Sequence, residues 1–327
     1  LEHVETLKDF EADLDDFYLN GSPKGYTEGT DLDDIYSFEM SQYTIFTGPP
    51  QSGKSEKLDG MCVNYANRYG FKTAFASPEN KPNKFHSDKL LRKVAGYRPS
   101  TIEHLKSKRI TKAKDFVNEH FHHVEYNQGF DLETVLSKFA ELRKRKGVKI
   151  FVIDPFNKVN LKGADRSKVN IYTGDYLNKI DIFVKANDCH LFLVMHPNKM
   201  QKEEKLKTYK MPTAYDIKGG GEVFDMAYHI LATVKDVENG VVRMDTLKVK
   251  FQHLGSPDKS VFFGWNINNG RYDKANYCPD KSFPTTYDWT NDSILDNKEL
   301  TEAELVSNEL DGIDFFDGGI FDDGSPF

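Results

Sequence analysis

Apolar residues in this chain follow two alternating rhythms. Short continuous runs, Tyr43–Thr47 (YTIFT), Lys72–Ala76, Lys149–Asp154 (KIFVID) and His190–His196 (HLFLVMH), are rich in β-branched and aromatic residues. Runs of this kind predict strands buried on both faces. His122–Tyr126 is a further candidate strand. Between the runs the period changes to three or four. Lys57–Tyr69, most of 83–120 and Val169–Lys185 read as helices. Asp131 is placed to cap a helix through Lys146, with Leu132, Val135, Leu136, Phe139 and Leu142 as its stripe and Gly147 as its stop. From Tyr228 the pattern turns to strand-turn-strand: Tyr228–Val234, Val242–Gln252 and Val261–Trp265, with turns at Gly240, Gly255 and Asn269-Gly270. The prediction is an α/β fold: a mostly parallel sheet with helices on both faces, ending in a C-terminal antiparallel extension.

The first twenty residues differ. Val4, Leu7, Phe10, Leu14 and Phe17 recur every third or fourth position, which predicts a short amphipathic helix with an acidic outer face, ended by Gly21-Ser22-Pro23. The expected organisation is an acidic helix and linker over 1–40, a core over 41–275, and an acidic, disordered tail over 276–327.

Composition supports one sizeable core: 327 residues, 38% hydrophobic and 13% aromatic, with no membrane-length apolar run. The three cysteines, Cys62, Cys189 and Cys278, are far apart and lack metal-ligand spacing, as expected of a protein in a reducing cytoplasm. The first residue is Leu1 rather than Met, as expected of a piece of something longer. The net charge of −7 conceals a segregation. Residues 1–40 carry 12 acidic and 2 basic side chains, residues 290–327 carry 11 and 1, and the stretch between is left at +13. Such a body suits a polyanion partner, although a lysine-rich solvated surface reads the same way.

The chemistry begins where Tyr43–Thr47 ends. Gly48, Pro49, Pro50, Gln51, Ser52, Gly53, Lys54 and Ser55 fit the G-x-x-x-x-G-K-[ST] pattern in full, straight after a strand and straight before a helix. A loop of this kind turns successive backbone N–H groups onto phosphates. Its lysine reaches the β/γ oxygens and its serine hydroxyl ligates Mg²⁺. Asp154, closing an apolar strand about 100 residues on, is the candidate Mg²⁺ carboxylate beside Ser55. Glu79 follows the neighbouring strand and reads either as a water-orienting carboxylate or as a solvated loop glutamate. His196, at the end of HLFLVMH, is a sensor of the γ-phosphate or a structural histidine. Two long loops leave strand ends. One carries Lys158, Lys162, Arg166 and Lys168; the other carries Lys199, Lys202, Lys205, Lys207, Lys210 and Lys218 together with Glu203, Glu204 and Asp216. Either could grip a phosphodiester backbone or be ordinary surface.

Taken in order, these motifs resemble the RecA-type motor domain of ring-shaped replicative helicases: bacterial DnaB, phage primase-helicases and Twinkle. The resemblance runs from about Gly25 to Tyr272. Gly29-Thr30-Asp31-Leu32-Asp33 is similar to the family's approach to the phosphate loop, TGPPQSGKS to that loop, and FASPEN to the motif whose glutamate activates water. FVIDPFNKV is similar to the Mg²⁺ motif and LVMHPNK to the histidine-ending sensor strand. AYDIKGGGEVFDMAYHIL resembles the segment leaving a DNA-binding loop, and LKVKFQHLG the hairpin that reaches the neighbouring subunit's nucleotide. The resemblance implies a RecA-like P-loop NTPase core, ATP or another NTP or dNTP with Mg²⁺, a homohexameric ring and single-stranded or forked DNA. Glu79 would activate water, and Lys248 and Lys250 would complete the neighbour's site. There are two departures. The family's hairpin reads K-x-R, whereas here Lys250 stands at the arginine, and Asp225 stands where glutamine is common. Lysine lacks the planar fork of arginine. A RecA/RadA-like recombination ATPase and a nucleotide-dependent DNA-binding scaffold therefore stay open as alternatives. The tail DGIDFFDGGIFDDGSPF, acidic with interleaved phenylalanines, resembles tails that dock on a polymerase or another replisome protein.

Overall fold

A computed structural model describes residues 6–22, 25–125, 131–159, 169–198, 200, 202, 209–236 and 240–274. Nine strands form one sheet: β1 (Tyr43–Thr47), β2 (Thr73–Ala76), β3 (Phe121–His123), β4 (Ile150–Ile153), β5 (His190–Val194), β6 (His229–Asp236), β7 (Val241–Val249), β8 (Lys259–Trp265) and β9 (Tyr272–Lys274). Their order across the sheet is β3-β2-β4-β5-β1-β6-β7-β8-β9. Every pairing from β3 to β6 is parallel, and those from β6 to β9 are antiparallel. This is the mixed sheet expected from the sequence, with its antiparallel part at the C-terminal side.

The period-2 geometry of strands sends alternate side chains into two separate cores. Phe46, Ile150, Val152, Phe192 and Val194 enter one, together with α2 (Lys54–Tyr69), α3 (Asn83–Ala95) and α5 (Lys108–His120). Ile45, Phe151, Ile153, Leu191 and Leu193 enter the other, with α6 (Leu132–Lys146), α7 (Val169–Asn187) and α8 (Gly220–Met226). Asp131 caps α6 as its sequence predicts, accepting from the Thr134 amide at 3.0 Å, and Gly147 ends it in the left-handed region. A one-turn helix, α4 (Ile102–Lys106), interrupts the 83–120 stretch.

The N-terminal segment divides in two. Residues 25–40 join the first core through Leu32, Tyr36 and Phe38, each 1% exposed or less. By contrast, α1 (Glu11–Asn20) buries none of its residues. Cys62 and Cys189 are buried and unpaired. No described helix is long and apolar enough to cross a membrane.

Candidate nucleotide site

Four adjacent parallel strands deliver the predicted residues to one edge: β2 leads to Glu79, β4 to Asp154, β5 to His196 and β1 to the phosphate loop. The carboxyl ends of parallel strands are where open α/β sheets bind ligands.

The loop needs glycine at two places. Gly48 has φ +148° and lies so close to β6 that a Cβ there would meet the Thr233 carbonyl oxygen at 2.3 Å. Gly53 has φ +88°, and a Cβ would meet the Tyr272 hydroxyl at 2.3 Å. That hydroxyl donates to the Gly53 carbonyl at 3.0 Å, so the last described strand holds the end of the loop. The helix α2 starts at Lys54, directing its unpaired N–H groups toward the loop.

Lys54 is 6% exposed. Its Nζ donates to the Gly48 and Pro49 carbonyls at 2.8 and 2.7 Å, and it makes no ion pair among the described residues. Burial pushes its pKa down to about 8, against the opposing pull of Asp154 and then Glu79. Asp154 is 7% exposed. Burial raises its carboxyl to about 6, the Ser55 hydroxyl pulls the other way, and the charges of Asp59 and Glu79 add to the rise. The Asp154 carbonyl accepts from Ser77 at 2.8 Å, which ties the end of β4 to the end of β2. Glu79 is exposed in a 3₁₀ turn after β2, with Lys158 Nζ 3.9 Å from its carboxylate. His196 is half-buried, and burial lowers its pKa; Lys54 lowers it further, Glu79 opposes, and Lys218 and Lys158 add to the lowering. The predicted phosphate, metal, water and sensor residues thus share one electrostatic neighbourhood. A Ser55 hydroxyl bonded to a buried carboxylate is a hard-oxygen pair that fits Mg²⁺, an ion that keeps most of its coordination for water and phosphate.

The remaining predicted residues lie elsewhere or in part outside the described chain. Lys202, Lys210 and Lys218 are exposed, and the Lys218 amide donates to the His196 carbonyl at 3.4 Å, bringing the second loop back beside the sensor strand. Lys162, Arg166, Lys168, Lys199, Lys205, Lys207 and the 276–327 tail are outside the described residues. Lys248 turns toward its own chain: its Nζ donates to the Phe224 carbonyl and, at 3.2 Å, to the Asp225 carbonyl, at the C-terminus of α8. Lys250 is exposed, with its Nζ 4.6 Å from the Tyr228 ring centre.

One constellation has no signal in the sequence. Asp59, on α2, is 3% exposed and bonds His86 Nε2 of α3 at 2.9 Å; His86 Nδ1 bonds His123 Nε2 of β3 at 2.8 Å. Residues 27 and 37 positions apart meet here because α3 packs between α2 and the edge of the sheet. Neither spacing belongs to a local pattern.

No family model matches the chain. It is 30% identical over 226 residues to the Twinkle homolog protein, chloroplastic/mitochondrial, of Arabidopsis thaliana, a match covering 65% of this chain and 31% of that protein. The chain therefore spans about a third of the length of that relative. Among solved structures it is similar to an ATPase domain determined on its own, with TM-score 0.66 and 14% identity, covering 83% of this chain and 99% of that one. It is also similar to a DnaB-like replicative helicase solved for its interactions with primase, with TM-score 0.63 and 13% identity, covering 83% and 67%. The fold is that of RecA-like helicase ATPase domains.

Proposed function

We propose that this chain, a RecA-type motor domain similar to those of Twinkle homologs and DnaB-like helicases, hydrolyses ATP or another NTP or dNTP to move single-stranded DNA through a ring of its own copies. The observation that carries the reading is the convergence of Lys54, Ser55, Asp154, Glu79 and His196 at the ends of four neighbouring strands. In this reading the loop amides and Lys54 hold the β/γ-phosphates, and Ser55 and Asp154 hold Mg²⁺. Glu79 orients the attacking water, and His196 reports loss of the γ-phosphate. Mg²⁺ would neutralise charge developing on the phosphate oxygens.

The ring reading draws on two features. The first is α1 with its preceding turn, where Phe10, Phe17, Tyr18 and Leu19 are 43–83% exposed; we assign this apolar face to a neighbouring subunit. The second is exposed Lys250, assigned to the neighbour's γ-phosphate. Lys158, Lys162, Arg166, Lys168, Lys199, Lys202, Lys205, Lys207, Lys210 and Lys218 would grip DNA. The 276–327 tail would engage a polymerase or another replisome protein, so deletion of 290–327 should weaken that binding and spare hydrolysis.

The test is DNA-stimulated nucleotide hydrolysis and unwinding of a forked substrate, with Lys54→Ala as control. Hydrolysis without unwinding, with open filaments rather than closed rings by electron microscopy, would favour a RecA/RadA-like recombination ATPase. A second reading, a nucleotide-dependent DNA-binding scaffold, is favoured by Lys250 standing at the arginine of K-x-R and by Lys248 being held on its own helix. DNA binding without hydrolysis would select it.

A further inference from the structure

Hydrolysis as proposed uses neither Asp59 nor the two histidines behind it. Asp59 follows Ser55 by four residues on α2, so the two share a helix face with Cβ atoms about 5–6 Å apart. Side chains on a helix lean toward its N-terminus, which tilts Asp59 back over the turn that carries Ser55. One carboxylate oxygen, Oδ1, bonds His86 Nε2; the other, Oδ2, is buried with no hydrogen-bond donor among the described residues. Buried carboxylate oxygens are costly without a donor, so such an atom calls for a partner.

The hydrogen bonds have a fixed polarity. An ionised Asp59 only accepts, so His86 Nε2 carries a proton; neutral His86 then accepts at Nδ1, so His123 Nε2 donates. His123 is itself kept neutral: burial first, and His86 second, push its pKa down to about 4. Phe75 of β2 fixes the rings, meeting His86 edge-on at 4.6 Å and stacking on His123 at 5.8 Å. Both histidines therefore hold the aspartate in one orientation without neutralising it. Three-carboxylate or carboxylate–histidine groups able to ligate a metal directly are absent among the described residues. This favours contact through a water rather than direct ligation, which suits an ion that dehydrates reluctantly.

We propose that Asp59 is the outer-shell carboxylate of the metal site, accepting at Oδ2 a hydrogen bond from a water bound to the nucleotide's Mg²⁺, with His86 and His123 as its positioning residues. The carboxylate's influence on Asp154 agrees with this placement. The inference rests on the nucleotide reading above and concerns only how tightly the ion is kept. Loss of an outer-shell partner typically costs about 10–100-fold in metal affinity.

The experiment measures binding of fluorophore-labelled ATP to the whole chain while MgCl₂ is titrated, alongside thermal unfolding without nucleotide. If Mg²⁺ leaves labelled-ATP affinity of the unsubstituted chain unchanged, the nucleotide reading fails. If Mg²⁺ tightens binding, Asp59→Asn should raise the Mg²⁺ concentration needed about 10–100-fold while keeping the metal-free affinity. His86→Gln, which keeps Asp59 but loosens it, should shift the requirement in the same direction by less. An unmoved Mg²⁺ requirement in Asp59→Asn, or a shift fully explained by unfolding of both variants, overturns the inference and leaves Asp59 as a tie between α2 and α3.

Discussion

Buried charge is handled in opposite ways on the two sides of the first turn of α2. Toward α3 and the approach segment, each charge has an internal partner. Lys57 pairs with Glu28, and Lys93, Lys89 and Arg92 gather on Glu56. Burial alone would raise the Glu56 carboxyl, but Lys93 and then Lys89 outweigh it and hold it down to about 2. Toward the strand ends the charges are kept apart. Lys54 faces carbonyls, Asp154 faces a hydroxyl, and burial drives each toward its neutral form. A charge matched from within serves as a strut. A charge buried without its match leaves the match to a ligand, and here the ligand that fits both signs is a metal–nucleotide pair.

This contrast can be broken by substitution. Lys54→Met should lower nucleotide hydrolysis by about 10²–10³-fold, the scale of losing one preorganised donor to transition-state charge. The same substitution should stabilise the empty protein at pH 7. The folded chain binds the Lys54 proton less tightly than the unfolded chain, so the charged lysine costs stability until pH rises through about 8. Paired turnover assays and urea titrations check both, and destabilisation by Lys54→Met would refute the comparison.

On the strut side, Lys93→Met strands Glu56 among fewer cations and should cost about 3–5 kcal/mol of unfolding free energy, with nucleotide affinity unchanged. Equal losses of affinity and stability would erase the distinction between the two sides.

Asp154 sharpens the comparison through pH. Its carboxyl is raised from 3.8 to about 6, so the folded chain holds that proton more tightly than the unfolded chain. Its contribution to stability should therefore fall between about pH 4 and pH 6, by about 3 kcal/mol. Urea titrations at pH 4.5 and pH 7 should show that slope flattened in Asp154→Asn. Part of the slope should remain, because burial, and Glu28 after it, also raise Asp33 to about 6.

The smallest effect concerns the two lysines of the hairpin. Lys248→Ala should cost about 0.3–1 kcal/mol, the value of a cation at a helix C-terminus. Lys250→Ala should leave stability unchanged and lower hydrolysis only at concentrations where subunits associate.

Much of this arrangement is legible in the sequence because it is local. The strand β1 begins and ends where its β-branched and aromatic run does, and Asp131 and Gly147 bound α6 by cap chemistry. The helix α8 escapes notice because it opens on a glycine run, Gly219-Gly220-Gly221, that reads as loop. The strand β9 escapes because three residues carry no period, and only pairing with β8 defines it. In the site, Lys54, Ser55 and Asp154 are announced by strand ends and spacing. Asp59, His86 and His123 are not, because their bonds depend on how α3 sits against α2.

The Tyr272–Gly53 hydrogen bond has a consequence for how the chain can be shortened. The tyrosine that braces the phosphate loop lies more than 200 positions downstream, on the final described strand. A deletion that removes the acidic tail but stops after Lys274 leaves this brace in place. One that trims a few residues further withdraws it from the loop, and would register as lost nucleotide binding although every residue of the TGPPQSGKS segment is still there.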